Sequence, residues 1–174
     1  MNSKRVYLRK IVASDIQSVF LGLSNPEVIK YYGVSYKSLE ATKEQMTWFS
    51  ELEEKGKGIW WAVCTVDSNE FIGAGGLNDL DLVNKKAEVG FWLLPKYWKK
   101  GFMTEVMPLI LKYAFTELAL HKVKGFVEPE NINCKRALKK LNFKLEETLV
   151  DCEEKNGELI SLEVYSINAS KIHC

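Results

Sequence analysis

Residues 87–105 read Ala87-Glu-Val-Gly-Phe-Trp-Leu-Leu-Pro-Lys-Tyr-Trp-Lys-Lys-Gly-Phe-Met-Thr-Glu105. The first half alternates. Ala87, Val89, Phe91 and Leu93 fall on one face of an extended chain and Glu88, Gly90, Trp92 and Leu94 on the other, which predicts a strand. Pro95 closes it. A short basic loop follows and opens into a helical stripe of apolar residues at 102, 106, 109, 110, 113 and 114. A helix N-terminus carries unpaired N–H groups and partial positive charge. Gly101 lets the backbone approach a ligand closely, and Lys99 and Lys100 add charge, so the loop outlines a pyrophosphate cradle. An ordinary solvated strand–helix turn has the same local features. There is neither a GxxxxGK[ST] run nor a GxGxxG run, which argues against a nucleoside-triphosphate loop and a Rossmann dinucleotide site.

Upstream, Val6–Val12 reads as a strand. Ser14-Asp15-Ile16-Gln17 has the form of a capping box before a helix with Ile16, Val19, Phe20 and Leu23 in register. Pro26 opens a short helix expected to reach Gly33. Thr42-Lys43-Glu44-Gln45 has the form of a second box before a helix ending at Gly56. Runs 59–66, 71–77 and 87–94, separated by turn residues, predict an antiparallel meander. Pro108 is expected to kink or strain the helix over 102–118. Downstream lie a strand at 123–127 and a helix over 132–141 capped by Asn131. Asn142 follows in a left-handed position, and two last strands flank Asn156-Gly157. The order predicts an α/β (α+β) fold in one domain of residues 1–174, core about 5–168. Its sheet of about seven strands is mixed, mostly antiparallel and flanked by helices.

Composition bounds the function. The chain has 174 residues, 24 Lys+Arg against 23 Asp+Glu, and a net charge of +1. That gives no basic field for nucleic acid or an anionic membrane. No apolar run reaches the roughly 18 residues of a membrane span. Cys64, Cys134, Cys152 and Cys174 are scattered, and His121 and His173 are the two histidines. No metal site is expected, and reduced thiols in the cytoplasm are.

The string Ala87-Glu88-Val89-Gly90-Phe91, then Pro95, then Trp98-Lys99-Lys100-Gly101-Phe102-Met103-Thr104-Glu105 resembles the GNAT N-acetyltransferase superfamily. With Glu130-Asn131-Ile132-Asn133-Cys134-Lys135-Arg136, closing on Leu141-Asn142-Phe143, it resembles the ribosomal-protein N-terminal acetyltransferase (Rim-type) branch. The resemblance covers nearly the whole chain. It implies acetyl-CoA as donor and a primary amine as acceptor, either a small molecule or a protein N-terminus, in a monomer or homodimer. It further implies that the loop Trp98–Thr104 binds the CoA pyrophosphate through main-chain N–H groups. The strand end Trp92, Leu93, Leu94 would pair with the pantetheine and polarise the thioester carbonyl. Asn131 would lie near the pantetheine and acetyl group.

On that resemblance Glu88 is the candidate general base, set against a structural pairing with a lysine or a buried water. Cys134 stands where the branch has a serine and is a candidate proton donor to the leaving thiolate, set against simple packing in a helix. The tyrosine acid common in the superfamily is replaced by Leu138. Tyr31, Tyr32 and Trp92 are candidate walls of the acceptor site, and Trp48, Trp60 and Trp61 are aromatic alternatives more often found in cores. Lys135, Arg136, Lys139 and Lys140 either meet a phosphate or form a solvated helix face. Asp79, Asp81, Glu51, Glu53 and Glu54 are available to attract a cationic acceptor. The reading is direct acetyl transfer in a ternary complex. An acyl-CoA-binding sensor with little catalysis, or an enzyme of longer acyl chains, is the alternative.

Overall fold

In the computed structural model, which describes residues 1–169, seven strands form one sheet in the order β1-β2-β3-β4-β5-β7-β6. The strands are β1 (Val6–Lys10), β2 (Ile59–Thr65), β3 (Phe71–Asp81), β4 (Lys86–Leu93), β5 (Lys122–Val127), β6 (Lys144–Lys155) and β7 (Glu158–Asn168). Only the β4–β5 pair is parallel, so the expected mixed, mostly antiparallel sheet is what forms. Helices α1 (Ile16–Leu23), α2 (Pro26–Ile29) and α3 (Leu39–Glu54) lie on one face. Helices α4 (Phe102–Lys112) and α5 (Ile132–Lys140) lie on the other. His173 and Cys174 fall outside the described residues.

The alternation of β4 divides the core in two. Ala87, Val89 and Leu93 join Val106, Met107 and Ile110 of α4. Trp92 and Leu94 join Val19 and Leu23 of α1 and Phe49 and Leu52 of α3. Trp60 and Trp61 likewise separate onto opposite faces, as strand geometry requires. Both are core residues.

Several local expectations are corrected. The cap of α3 is Ser38, not Thr42: Ala41 N–H donates to Ser38 Oγ at 3.1 Å, and Thr42 is buried inside the helix, its hydroxyl donating to Ser38 O. Ser14 caps nothing. Its neighbour Asp15 accepts Val12 N–H at 2.8 Å and takes both guanidinium nitrogens of Arg9 at 2.7 Å, fastening the entry of α1 to β1. Helix α2 stops at Ile29 rather than near Gly33. The helix carrying Pro108 stays α-helical to Lys112, with Pro108 exposed, and then widens into a π turn over Tyr113–Glu117. Strand β3 runs to Asp81, beyond the expected Leu77. Asn131 caps α5 by accepting Cys134 N–H at 3.2 Å, and Asn142 and Asn156 have the left-handed φ of 65° and 53°.

Strands β2, β3 and β4 pack tightly where they carry glycine. The Trp60 indole lies across Gly76 onto Gly90, and a Cβ on Gly90 would sit 2.4 Å from Trp60 Cζ2. Gly90→Ala therefore overpacks the core and is expected to lower stability by about 1–3 kcal/mol. Urea unfolding measures it, and an unchanged midpoint would show that the indole moves aside freely.

Candidate active site

Strands β4 and β5 pair through only three rungs, Lys86↔Lys122, Ala87↔Val123 and Glu88↔Lys124. Beyond Glu88 they part. Each stays fully paired on its outer side: β4 with β3 up to Leu93, and β5 with β7 from Lys122 to Val127. The seam between them therefore exposes backbone groups with no ladder partner.

Which groups face the seam follows from antiparallel alternation. Leu94 N–H donates to Ile72 O at 2.9 Å, so the even-numbered residues of β4 point their amides at β3. The odd-numbered residues point theirs at the seam. Of the expected trio Trp92, Leu93 and Leu94, only Leu93 presents its N–H there. The further amide facing the seam is that of Phe91, which the reading of residue types missed. The Trp92 side chain is buried, with its ring centroid 5.9 Å from that of Phe71.

The seam opens toward the loop before α4. Trp98 Nε1–H donates to Leu93 O at 2.8 Å and pins the loop to the strand end. Lys99 has φ 59° and Gly101, the N-cap of α4, has φ 80°. These two left-handed residues turn the chain into the helix. A Cβ on Gly101 would strain that φ and meet Arg5 Nη2 at 3.4 Å. Phe102 and Met103 pack their side chains into or against the core, so they offer the site backbone only. Thr104 Oγ1 donates to Gly101 O at 2.7 Å. Lys99 and Lys100 are exposed, and Lys100 Nζ lies 5.8 Å from the Tyr97 ring centroid.

The clamp on this loop comes from the other end of the sequence. Arg5 donates to Lys100 O at 3.0 Å, pairs with Glu105, and lies over the Phe102 ring at 4.4 Å, while Ser3 Oγ donates to Glu105 at 3.0 Å. Nothing in the local sequence marks Arg5 for this role.

Glu88 stands on the last rung, half-buried, on the face of Gly90 and Trp92. No lysine or arginine forms an ion pair with it among the described residues, so the expected alternative of a structural lysine partner is not found. Burial, and then the carboxylate of Asp79, push its pKa up to about 7, with Asn78 opposing. Asp79 arrives there through a bulge in β3 between Asn78 and Asp81, with φ 48°. Glu153 adds negative charge from β6. Tyr32 comes near enough for Glu88 to raise its phenol pKa, behind the larger effect of burial. Tyr31 reaches toward the start of α5, its hydroxyl donating to Glu130 O at 3.5 Å, and its ring is flanked by Lys30 and by Lys155, which pairs with Glu128.

Cys134 is half-buried on α5, and burial lifts its thiol to about 11. Tyr165 of β7, its hydroxyl donating to Glu163 at 2.8 Å, is close enough for the two titrations to interact. Lys135 pairs with Glu163 at 2.8 Å and is therefore engaged within the fold. No group of metal-ligating side chains occurs among the described residues.

Residues 5–144 match the acetyltransferase (GNAT) domain family. An uncharacterized N-acetyltransferase of Bacillus subtilis (strain 168), YoaA, is 32% identical over 168 residues, covering 96% of this chain and 95% of that protein. The spermidine N(1)-acetyltransferase of Escherichia coli (strain K12) is 27% identical over 150 residues, 83% of this chain and 76% of that protein. The crystal structure of spermidine N-acetyltransferase from Vibrio cholerae in complex with CoA and spermine superimposes with a TM-score of 0.86 at 22% identity, covering 97% of this chain and 98% of that one. The chain belongs to the GNAT acetyltransferase family and is an N-acetyltransferase.

In a carbon-13 NMR titration the Glu88 carboxyl is expected to change near pH 7. Asp79→Asn should move that midpoint down by about one unit, because it removes the like charge that disfavours ionisation. A midpoint near 4.5 in the unmodified protein would contradict the geometry of the β3 bulge.

Proposed function

We propose that the protein transfers an acetyl group directly from acetyl-CoA to a small primary amine that is cationic in solution. The observation that carries this reading is the open seam. It sets unpaired strand amides, a helix N-terminus and an uncompensated carboxylate in sequence along one line.

The residues fit the donor. The N–H groups at the start of α4, with Gly101 as a cap that no side chain fills, suit a pyrophosphate. The seam suits an extended amide-bearing arm, since the amides of Phe91 and Leu93 and the carbonyl of Phe91 are free to pair with it, Leu93 O being taken by Trp98. Asn131, at the far lip of the seam, holds the start of α5 and so fixes that wall. Lys99 and Lys100 supply positive charge at the loop.

The chemistry requires three things. An alkylammonium has a pKa near 10 and must lose a proton before it attacks. Glu88, with a pKa of about 7, is ionised over much of the neutral range and takes that proton directly or through a water. Charge that builds on the thioester oxygen faces the fixed amides of Phe91 and Leu93. The new C–N bond forms as the C–S bond breaks, and the sulfur leaves as a thiolate. Cys134, packed against the core at the start of α5, has a thiol raised to about 11, a weaker acid than an ordinary thiol at about 8.5, so on this reading it is not the group that protonates the leaving sulfur. Solvent supplies the proton that Leu138 cannot.

Glu88, Asp79 and Glu153 make the acceptor side negative, which favours a cationic amine, as do the relatives whose names give spermidine as substrate. A second reading, a protein N-terminus, is favoured by the Rim-type string from Ala87 to Phe143. The free thiols Cys64, Cys134 and Cys152 fit a reducing cytoplasm. No helix among the described residues is long and apolar enough to cross a membrane.

Steady-state kinetics with acetyl-CoA and a panel of polyamines and amino-terminal peptides tests the reading. Glu88→Gln should lower kcat about 100-fold or more with the KM for acetyl-CoA nearly unchanged. Gly101→Val should do the reverse, raising that KM while sparing kcat at saturation. Equal loss in both parameters from both variants would remove the division of labour argued above. Cys134→Ala should leave kcat within about threefold, whereas a loss of 100-fold would make Cys134 the acid.

A further inference from the structure

Glu88 is flanked in the sheet by an asparagine on one side and a lysine on the other. Its β3 neighbour is Asn78 and its β5 neighbour is Lys124. Residues paired across adjacent strands project to the same face, with their backbones about 4.8 Å apart. A lysine arm in that position is long enough to bring its ammonium to the Glu88 carboxylate. It does not do so. Lys124 turns the other way and pairs with Glu146 at 3.3 Å.

Glu146 is placed for this by a defect in the edge strand. The pairing of β6 with β7 shifts register between Leu145 and Glu147, so Glu146 is the extra residue of a bulge. Bulges re-aim side chains. This one sends the carboxylate past Ser166 of β7 to β5, where it meets Lys122 at 2.5 Å as well as Lys124. Ser166, buried and small, is the residue of β7 paired with Lys124 and leaves room for the carboxylate to pass. Lys122, then Ser166 and Lys124, hold the Glu146 carboxyl down at about 2, against its burial, so it stays charged throughout the neutral range.

We propose that Glu146 is a positioning residue of the acetyl transfer, one that acts by holding Lys124 away from Glu88. The proposal rests on the reading of Glu88 as the base. The groups facing Glu88 are Asn78 and Asp79 from β3, Tyr32 from the segment after α2, Glu153 from β6 and Lys124 from β5. Lys86, two residues back on the same face, is turned toward Asp81 at 3.9 Å. The three lysines on this face of β4 and β5, Lys86, Lys122 and Lys124, are thus drawn to other carboxylates, with Lys124 the one paired directly with Glu88, and every remaining charge around Glu88 is negative. Released from Glu146, Lys124 would be the one strand neighbour able to neutralise the base.

The test is a mutant cycle read on Glu88 itself. Its carboxyl midpoint is followed by carbon-13 NMR in the full-length, ligand-free protein, and the pH dependence of kcat is followed with acetyl-CoA and spermidine as probe substrates. Glu146→Gln should lower the Glu88 midpoint by about one unit or more, as an opposite charge brought within a few ångströms does. The rising limb of the rate profile should move down by the same amount, and kcat should fall about tenfold, with the KM for acetyl-CoA unmoved. Lys124→Gln alone should leave both midpoints in place. Glu146→Gln combined with Lys124→Gln should return them to the unmodified values, a rescue that a structural role for Glu146 would not give. An unshifted midpoint in Glu146→Gln would overturn the proposal. So would a shift that persists in the double variant, since the loss of the Glu146 charge alone would then be its cause. If Glu88→Gln leaves the pH–rate profile intact, the base assignment fails whatever the NMR midpoints do, and the two failures are told apart.

Discussion

The parting of β4 from β5 after three rungs is the constraint on which the site depends. A parallel pair inside a sheet would ordinarily continue, because each unpaired backbone group left away from water costs about 1–3 kcal/mol. Here each strand is satisfied on its outer side, β4 by β3 and β5 by β7, and the end of β4 is fixed by Leu94 on Ile72 and by Trp98 on Leu93. The inner amides of Phe91 and Leu93 are left for something that is not protein. The same parting puts α4's N-terminus at the mouth of the opening and Glu88 at its apex, so one break in the ladder fixes the order of helix N-terminus, amide wall and carboxylate.

Electrostatics then refines what topology places. As the proposed base, Glu88 needs an affinity for protons between that of a free carboxylate and that of an amine. Partial burial and the bulge that brings Asp79 alongside provide it. The surrounding lysines are all engaged by carboxylates: Lys86 by Asp81, Lys122 and Lys124 together by Glu146, Lys135 by Glu163, Lys155 by Glu128. The near-neutral balance of the whole chain thus hides a local surplus of negative charge around Glu88.

Much of this was legible from residue order. The alternation of Ala87–Leu94 assigned the two faces of β4 and separated Glu88 from the α4 side of the core. Asn131, Asn142 and Asn156-Gly157 marked a cap and two left-handed turns by local chemistry alone. What escaped depends on contacts distant in sequence or on register. Arg5 reaches Glu105 and Lys100 across most of the chain. The neighbours of Glu88 become visible only once the strand pairing is known, and so does the fact that Phe91, rather than Trp92 or Leu94, turns its amide to the seam. The misplaced caps have a similar cause. Ser14 and Thr42 begin box-like strings, but Asp15 is taken by Arg9 and Ser38 offers the earlier cap.

The most direct test is calorimetric titration of the protein with acetyl-CoA, with free CoA and ATP run alongside. The open seam predicts micromolar binding of acetyl-CoA, comparable binding of CoA, and no heat from ATP, which has phosphates for the cradle but no arm for the strand amides. Binding of ATP as tight as that of acetyl-CoA, or no binding of acetyl-CoA to a folded sample, would contradict the account.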